Sequence, residues 1–209
     1  MRGVEQIPWL YDASLALFER LGLGRWRAWL AGGVRGRVLD LGTGTGRNLS
    51  LMPRDAAAIA VDPHRANLAR ARRRAPRVPL VLARAEALPF RDDAFDTVVS
   101  GLVLCSVEDV PGALAEVRRV LAPSGTLRAL EHVRGGGTLG ALQDRAQPAW
   151  TTVTGGCHPN RETERMLRDA GFGIDPASRR SRGVMRRLEA RPPEGSASAP
   201  VSEPSRRVT

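Results

Sequence analysis

The chain has 209 residues, 42% of them hydrophobic, which suffices for one domain of ordinary size but not for two large ones. Aromatic residues make up only 4%, so the stacking surfaces that bind single-stranded nucleic acid are not expected. The 32 basic residues, all of them arginine, exceed the 22 acidic residues and give a net charge of +10, which favours acidic partners such as phosphate groups or anionic lipids.

The sequence predicts neither a membrane span nor a metal site. No apolar run approaches the roughly 20 residues that cross a bilayer, and the first residues contain no apolar export segment followed by a cleavage site. The two cysteines, Cys105 and Cys157, lie far apart and have no Cys-x-x-Cys partner, so neither a zinc site nor a disulfide is expected. We therefore expect a cytoplasmic protein with no bound metal.

Secondary structure is predicted from the spacing of apolar residues along the chain. Apolar residues recur at helical spacing between positions 8 and 30, with a glycine-containing break near position 22, and predict two short helices before the main domain. Beyond them, short apolar strands alternate with helices. The predicted strands cover residues 37–41, 57–61, 80–83, 95–100 and 126–132, and the predicted helices cover 65–74, 110–121, 140–146 and 161–170, with another beginning near residue 46.

This alternation is typical of the α/β class, with a doubly wound, mainly parallel sheet that carries helices on both faces. We divide the chain into an N-terminal helical cap over residues 1–33, an α/β domain over residues 34–190 and a tail over residues 191–209. The tail is rich in Pro, Ser, Ala and Glu and has almost no large apolar residues, so it is predicted to be disordered.

A glycine-rich turn follows the first predicted strand and carries Gly42, Gly44 and Gly46. Glycine at such a turn lets a ligand press against the backbone, because no side chain occupies the space. The dinucleotide-binding pattern Gly-x-Gly-x-x-Gly is not met, since Arg47 stands where its third glycine would be. The turn therefore predicts a ligand site but argues against NAD.

Acidic residues follow the next strands. Asp62 ends the second predicted strand, about twenty residues after Asp40, where an acidic side chain can accept both hydroxyls of a ribose. Ala85 and Glu86 follow the third strand. Because the carboxyl ends of parallel strands meet at one edge of a sheet, these residues predict one crevice for a nucleoside-bearing ligand without a pyrophosphate.

Three motifs resemble those of the class I S-adenosylmethionine-dependent methyltransferases, the type 11 methyltransferase domain. They occupy residues 38–46, 85–90 and 95–100, and the resemblance extends over about residues 11–188. It implies a seven-stranded, Rossmann-like methyltransferase sheet, a methyltransferase activity and S-adenosyl-L-methionine as the cofactor.

The resemblance also implies a role for each cofactor-binding residue. Asp40 would face the amino-acid end of the cofactor, the three glycines of the turn would line it, and Asp62 would hold the ribose. Ala85 and Glu86 would flank the adenine. Many relatives carry Asp where this chain has Arg84, so the adenine contact here would fall to backbone groups or to Glu86.

Further motifs, at residues 101–107, 130–133, 148–150 and 155–163, are similar to the thiol S-methyltransferases of the methyltransferase-like family and to their bacterial relatives. This similarity makes a small thiol the first expected acceptor. The ubiquinone-type and phosphatidylethanolamine methyltransferases share the cofactor motifs, so a peripheral-membrane enzyme that methylates a phospholipid headgroup or a quinone-like substrate is an alternative. A catalytically inactive cofactor-binding protein is the third hypothesis.

No dedicated catalytic residue is assigned from the sequence. Alignment of the nucleophile with the methyl group can supply most of the catalysis, and a thiolate reacts without a base. A hydroxyl acceptor would need a base, for which His132 and His158 are the candidates; His132 is equally interpretable as a structural histidine. Cys105 is expected to pack in the core, and Cys157 with His158 to form a lid or a substrate wall.

The expected partner is a small-molecule substrate. No Asn-Pro-Pro-Tyr or Asp-Pro-Pro-Tyr motif follows the fourth strand, so nucleic acid is not expected. Two arginine clusters could bind phosphate or a membrane surface, but a helix that covers a sheet also needs a solvated outer face, which is the interpretation we favour. The clusters consist of Arg70, Arg72, Arg73, Arg74 and Arg77, and of Arg179, Arg180, Arg182, Arg186 and Arg187.

Overall fold

The computed structural model describes residues 22–193, which form one sheet with packed helices. The first predicted helix of the cap and most of the predicted tail lie outside these residues. In chain order the elements are α1 (Gly24–Gly32), β1 (Arg37–Leu41), β2 (Ala57–Asp62), α2 (Arg65–Arg74), β3 (Leu80–Leu82), β4 (Phe95–Gly101), α3 (Val110–Val120), β5 (Leu121–His132), α4 (Gly137–Thr154), α5 (Thr163–Asp169), β6 (Gly173–Ile174), β7 (Arg180–Arg182) and β8 (Met185–Arg191).

The strands form an eight-stranded sheet in the order β3-β2-β1-β4-β5-β8-β6, with β7 paired to β8 off this path. The first five strands pair in parallel, and β8 runs antiparallel to β5. The order reverses between β1 and β4, which is the place where open α/β sheets bind their ligands. The prediction of a doubly wound, mainly parallel sheet is confirmed.

Two hydrophobic cores form because neighbouring residues of a strand point to opposite faces of the sheet. Val38 of β1 and Val99 of β4 pack with Leu30 of α1 in one core. Leu39 and Val98, one residue along each strand, belong to the larger core, to which α3 and α5 also contribute. Both faces of the central strands are buried, as parallel sheets require.

Two of the predicted helices differ from the structure. The helix expected near residue 46 is wrong: the chain forms turns there, followed by one 3-10 turn at Leu49–Leu51. Met52 is extended because it precedes Pro53, and the residue before a proline disfavours the helical conformation. The helix expected at residues 140–146 is part of the longer α4, which continues through Pro148. No helix within residues 22–193 is long and apolar enough to span a membrane.

The side chain of Arg128 on β5 fastens α1 to the sheet. Its guanidinium donates to the carbonyl oxygens of Leu30 (3.0 Å) and Trp29 (2.6 Å) at the end of α1, and forms an ion pair with Glu189 of β8. The guanidinium also lies 4.3 Å from the centroid of the Trp29 ring. A buried cation thus satisfies the last carbonyl groups of the helix, which have no partner within it.

We expect Arg128→Leu to lower the free energy of unfolding by about 3 kcal/mol, because it leaves a carboxylate and two carbonyl groups without a buried donor. Urea unfolding followed by circular dichroism measures this change. In the matched control Arg165→Leu the native guanidinium is largely exposed, and the expected change is below about 0.5 kcal/mol. Equal losses in the two variants would contradict the role of Arg128.

Candidate functional site

The glycine turn after β1 packs against the loop after β4. Gly42, Gly44 and Gly46 have φ values of 56°, 57° and 81°, a region that side-chain-bearing residues rarely adopt. A Cβ atom at Gly42 would also lie 2.7 Å from Cγ2 of Val103. The turn therefore needs glycine both for its backbone conformation and for its close approach to the neighbouring loop.

Asp40 is fully buried near the end of β1 and forms hydrogen bonds with this turn and with the segment that follows it. Its carboxylate accepts hydrogen bonds from the hydroxyl of Thr43 (2.5 Å) and from Nδ2 of Asn48 (2.9 Å). Arg27 of α1 donates in turn to Oδ1 of Asn48 (2.7 Å). Burial raises the pKa of Asp40 to about 6, although these donors and the charge of Arg27 oppose the shift. Arg27 and Asn48 were not predicted as site residues from the sequence, because no motif marks either of them.

Asp62 connects β2 to the same turn. Its Oδ2 accepts from the backbone N–H of Gly44 (2.8 Å), and its Oδ1 accepts from the N–H of His64 (2.9 Å) and Nδ2 of Asn67 (3.1 Å). A carboxylate oxygen accepts two hydrogen bonds, so Oδ2 has the capacity for a ligand hydroxyl as well. The buried carboxylate at the crevice and the adjoining glycine turn fit the ribose and the amino-acid end of S-adenosylmethionine.

The segment after β3 places its two predicted cofactor residues differently. Ala85 is buried in the larger core, whereas the carboxylate of Glu86 pairs with Arg84 (3.1 Å). Arg84 also pairs with Glu108 (2.9 Å), on the loop that leads to α3. The arginine at the position where many relatives carry Asp therefore forms a bridge between two acidic side chains.

Glu131, near the end of β5, fixes the loop that follows β4. Its fully buried carboxylate accepts from the Ser100 hydroxyl (2.7 Å) and from the N–H groups of Val103 (3.2 Å) and Cys105 (3.2 Å). Burial raises the pKa of Glu131, and the hydrogen bonds oppose this effect. The loop whose Val103 covers the glycine turn is thereby held at the carboxyl edge of the sheet.

Two cysteines and a histidine meet beside this loop, an arrangement that the sequence analysis did not predict. The Sγ atoms of Cys105 and Cys157 lie 3.8 Å apart, and Nδ1 of His132 lies 3.8 Å and 3.4 Å from them. Both thiols are buried. Hydrogen bonding with Cys105 and, less strongly, contact with His132 lower the pKa of the Cys157 thiol, against the effect of burial. We name these three residues the Cys–His cluster.

His158, the other candidate base, does not join this cluster. Its Nδ1 lies 2.8 Å from the carbonyl oxygen of Gly156, and its backbone N–H donates to the carbonyl oxygen of Cys105 (2.7 Å). His158 thus holds the two cysteine-bearing segments together through its backbone. The sequence signal for the cluster was indirect. Its three members lie in separate motifs, at residues 101–107 after β4, 130–133 at the end of β5 and 155–163 after α4, and nothing in these motifs predicts that they meet.

The arginine clusters contain many contacts within the protein. Arg72 donates to the carbonyl oxygens of Pro76 and Val78, both at 3.2 Å, and Arg74 donates to the Thr45 carbonyl at 2.6 Å. In the second cluster, Arg179 and Arg186 pair with Glu164, and Arg187 lies over the ring of Trp29, 4.5 Å from its centroid. The arginines named here therefore contact groups within the protein.

Residues 39–129 match the model of the methyltransferase domain family. Among solved structures, a chain in the complex of the Trm112 methyltransferase activator with a methyltransferase from Haloferax volcanii is similar over 92% of this chain and 99% of that chain, with a TM-score of 0.71 and 17% identity. The described domain therefore has the fold of that methyltransferase, and residues 39–129 match the methyltransferase domain family, as the motifs predict.

Curated relatives with named activities match part of this chain. A malonyl-[acyl-carrier protein] O-methyltransferase of Halorhodospira halophila is 50% identical over 44% of this chain and 33% of its own length. Thiol S-methyltransferase TMT1B of Rattus norvegicus is 34% identical over 65% and 59%. A demethylmenaquinone methyltransferase of Roseiflexus sp. is 39% identical over 59% and 56%. The chain thus spans less than two thirds of each of these relatives.

The buried carboxyl of Asp40 predicts a pH-dependent stability. Its pKa is about 6 in the folded protein and 3.8 ordinarily, so the folded state keeps a proton that the unfolded state has lost. Relative to Asp40→Asn, the wild type should lose on the order of 3 kcal/mol of unfolding free energy between pH 4 and 6, and the difference should stay constant above that range. Urea unfolding at several pH values measures it.

The control for this experiment is Asp96→Asn at the opposite edge of the sheet. Arg37 lowers the pKa of Asp96 from its ordinary 3.8, so its difference from the wild type should stay nearly constant between pH 4 and 6, and the native carboxylate should become less stabilising only below about pH 4. A flat difference for Asp40→Asn across pH 4 to 6 would contradict the raised pKa.

We expect Asp62→Ala to weaken the binding of S-adenosylhomocysteine at least about tenfold, or roughly 1.4 kcal/mol, because it removes the proposed ribose acceptor and frees the N–H of Gly44. Isothermal titration calorimetry measures this affinity. Asp96→Ala, at the opposite edge of the sheet, should bind as the wild type does. Unchanged affinity in Asp62→Ala would remove the ribose role of this residue.

Proposed function

We propose that the protein transfers the methyl group of S-adenosylmethionine to the sulfur of a small thiol. The observation that carries this proposal is the position of the Cys–His cluster. Cys105 lies two residues beyond Val103, the residue that covers the glycine turn. Cofactor crevice and cluster thus share one edge of the sheet, and the thiol S-methyltransferase among the relatives supports sulfur as the acceptor.

At the cofactor end, each residue has a role that its geometry supports. The glycine turn offers backbone groups without side chains, and Asp40 holds that turn through Thr43 and Asn48. Asp62 accepts the ribose. Glu86, which pairs with Arg84, would flank the adenine. S-adenosylmethionine supplies the electrophilic methyl group, and the chain positions the acceptor in line with it.

At the acceptor end, the chemistry of the described residues favours a thiol over a hydroxyl. A hydroxyl acceptor needs a general base. Glu131 is occupied by donors from the sheet and the loop, and Nδ1 of His132 contacts the two thiols of the Cys–His cluster. His158 keeps only its Nε2 for such a role, because its Nδ1 contacts Gly156. A thiol ionises near neutral pH and its thiolate is the reactive form, so alignment alone can drive the reaction.

A second candidate is a methyltransferase that takes a quinone-like or phospholipid substrate from a membrane. The observation that favours it is an exposed apolar face of α4, on which Leu142 is 63%, Val153 61% and Trp150 43% exposed. Such a face can lie in a lipid interface. The demethylmenaquinone methyltransferase among the relatives supports the same function. Binding of the cofactor without turnover would leave the third hypothesis, an inactive cofactor-binding protein.

We expect the purified protein to form S-adenosylhomocysteine with small thiols as acceptors, and the rate to rise with pH as the acceptor thiol ionises. Mass spectrometry of the methylated product measures the transfer, with Asp96→Ala as the active control and Asp62→Ala as the weakened one. Parallel reactions contain a demethylated quinone or phosphatidylethanolamine in vesicles. Transfer to these lipids but not to thiols would replace the proposed function by the second candidate.

A further inference from the structure

The Cys–His cluster has the composition of a metal site. Two sulfurs and an imidazole nitrogen lie within 4.8 Å of one another, each able to serve as one ligand. Thiolate and imidazole together suit zinc, whereas calcium and magnesium take oxygen ligands. Sites with three protein ligands, including two cysteines and one histidine, are typical of zinc that keeps one position open for a substrate.

The distances in the cluster match those around a tetrahedral zinc ion. With zinc–sulfur bonds of about 2.3 Å and zinc–nitrogen bonds of about 2.0 to 2.1 Å, tetrahedral angles put the two sulfurs about 3.8 Å apart and each sulfur about 3.6 Å from the nitrogen. The observed separations are 3.8 Å between the sulfurs, and 3.8 Å and 3.4 Å from the sulfurs to Nδ1 of His132. The three atoms need only small shifts to share one ion.

Backbone and side-chain hydrogen bonds hold the three ligands in this arrangement. The N–H of Cys105 donates to the buried carboxylate of Glu131 (3.2 Å), the residue before His132. The N–H of Cys157 donates to Oγ1 of Thr154, at the end of α4 (3.2 Å). Supporting contacts of this kind orient metal ligands and tune their affinity.

We propose that Cys105, His132 and Cys157 bind a zinc ion whose fourth coordination position takes the acceptor sulfur. The metal site is independent of the proposed thiol methylation, whereas the use of its open position rests on that function. Zinc with two thiolates and a neutral imidazole has no net charge, so the ion can be buried among these residues without an additional counter-ion. This proposal departs from the sequence-based expectation of no metal.

The transfer step balances without any further reactant. The acceptor thiol loses its proton to solvent when its sulfur binds the metal, because metal ligation requires the thiolate. A lone pair of that sulfur forms the bond to the methyl carbon while the bond from this carbon to the sulfonium sulfur breaks. The bonding pair stays on the departing sulfur, which yields neutral S-adenosylhomocysteine and a thioether, and the thioether leaves the metal as a weaker ligand.

The test uses the whole chain, reduced with a phosphine, stripped of metal and titrated with cobalt(II), a spectroscopic substitute for zinc. We expect one ion per chain, intense visible bands of a tetrahedral site, and a thiolate-to-cobalt charge-transfer band that zinc abolishes. Loss of a contact that only supports a metal ligand costs roughly tenfold to hundredfold in metal affinity. We expect a larger loss of cobalt affinity in each of the three ligand variants, Cys105→Ser, Cys157→Ser and His132→Gln. His158→Gln, next to Cys157 but outside the cluster, should bind cobalt as the wild type does.

Wild-type protein that shows no charge-transfer band, or cysteine variants that bind cobalt unchanged, would overturn the metal site. Because a cluster variant can fail to fold, the thermal unfolding of the wild type is also followed with and without zinc, which should raise the midpoint by binding the folded state. An unchanged midpoint would likewise overturn the proposal.

The open position is tested without the cofactor by adding a small thiol to the cobalt form. A third thiolate should intensify the charge-transfer band, and an unchanged spectrum would overturn this part of the proposal. Thiol methylation by protein that binds no metal would leave the proposed function intact and remove the zinc. A metal-binding protein that methylates only lipid acceptors would keep the site and remove the proposed function.

Discussion

The loops of the candidate site depend on carboxylates buried at the ends of parallel strands. An ionised carboxylate away from water is costly unless donors surround it, and here the donors come from the loops themselves. Asp40 on β1 binds Thr43 and Asn48, and Asp62 on β2 binds the N–H of Gly44. Glu131 on β5 binds the loop after β4. The same interactions that compensate for burial therefore fix the shape of the crevice.

This arrangement also explains why the cofactor crevice and the Cys–His cluster are neighbours. Glu131 accepts from the N–H of Val103, which covers the glycine turn, and from the N–H of Cys105, which belongs to the cluster. His132 is the next residue of β5. One carboxylate thus fixes the loop that carries both Val103 and Cys105.

Much of the fold could be predicted from the sequence because its signals are local. Short apolar strands separated by helices indicated the parallel sheet, and the glycine turn with Asp62 indicated the crevice. The helix expected near residue 46 was wrong, because Met52, the residue before Pro53, is extended and only a 3-10 turn forms at Leu49–Leu51. The docking of α1 through Arg128 was not predictable, since its partners lie about 60 and 100 residues away in the chain.

Local patterns along the chain were enough to establish the class of fold, the glycine turn and the acidic residues at the strand ends, because each depends on residues close together in sequence. Which distant side chains meet depends on the folded chain. Cys105 and Cys157 have no spacing that marks them as partners, yet β4, β5 and the end of α4 bring them to within 3.8 Å of each other and close to His132. Strand order and the packing of α4, which no local pattern encodes, create that contact.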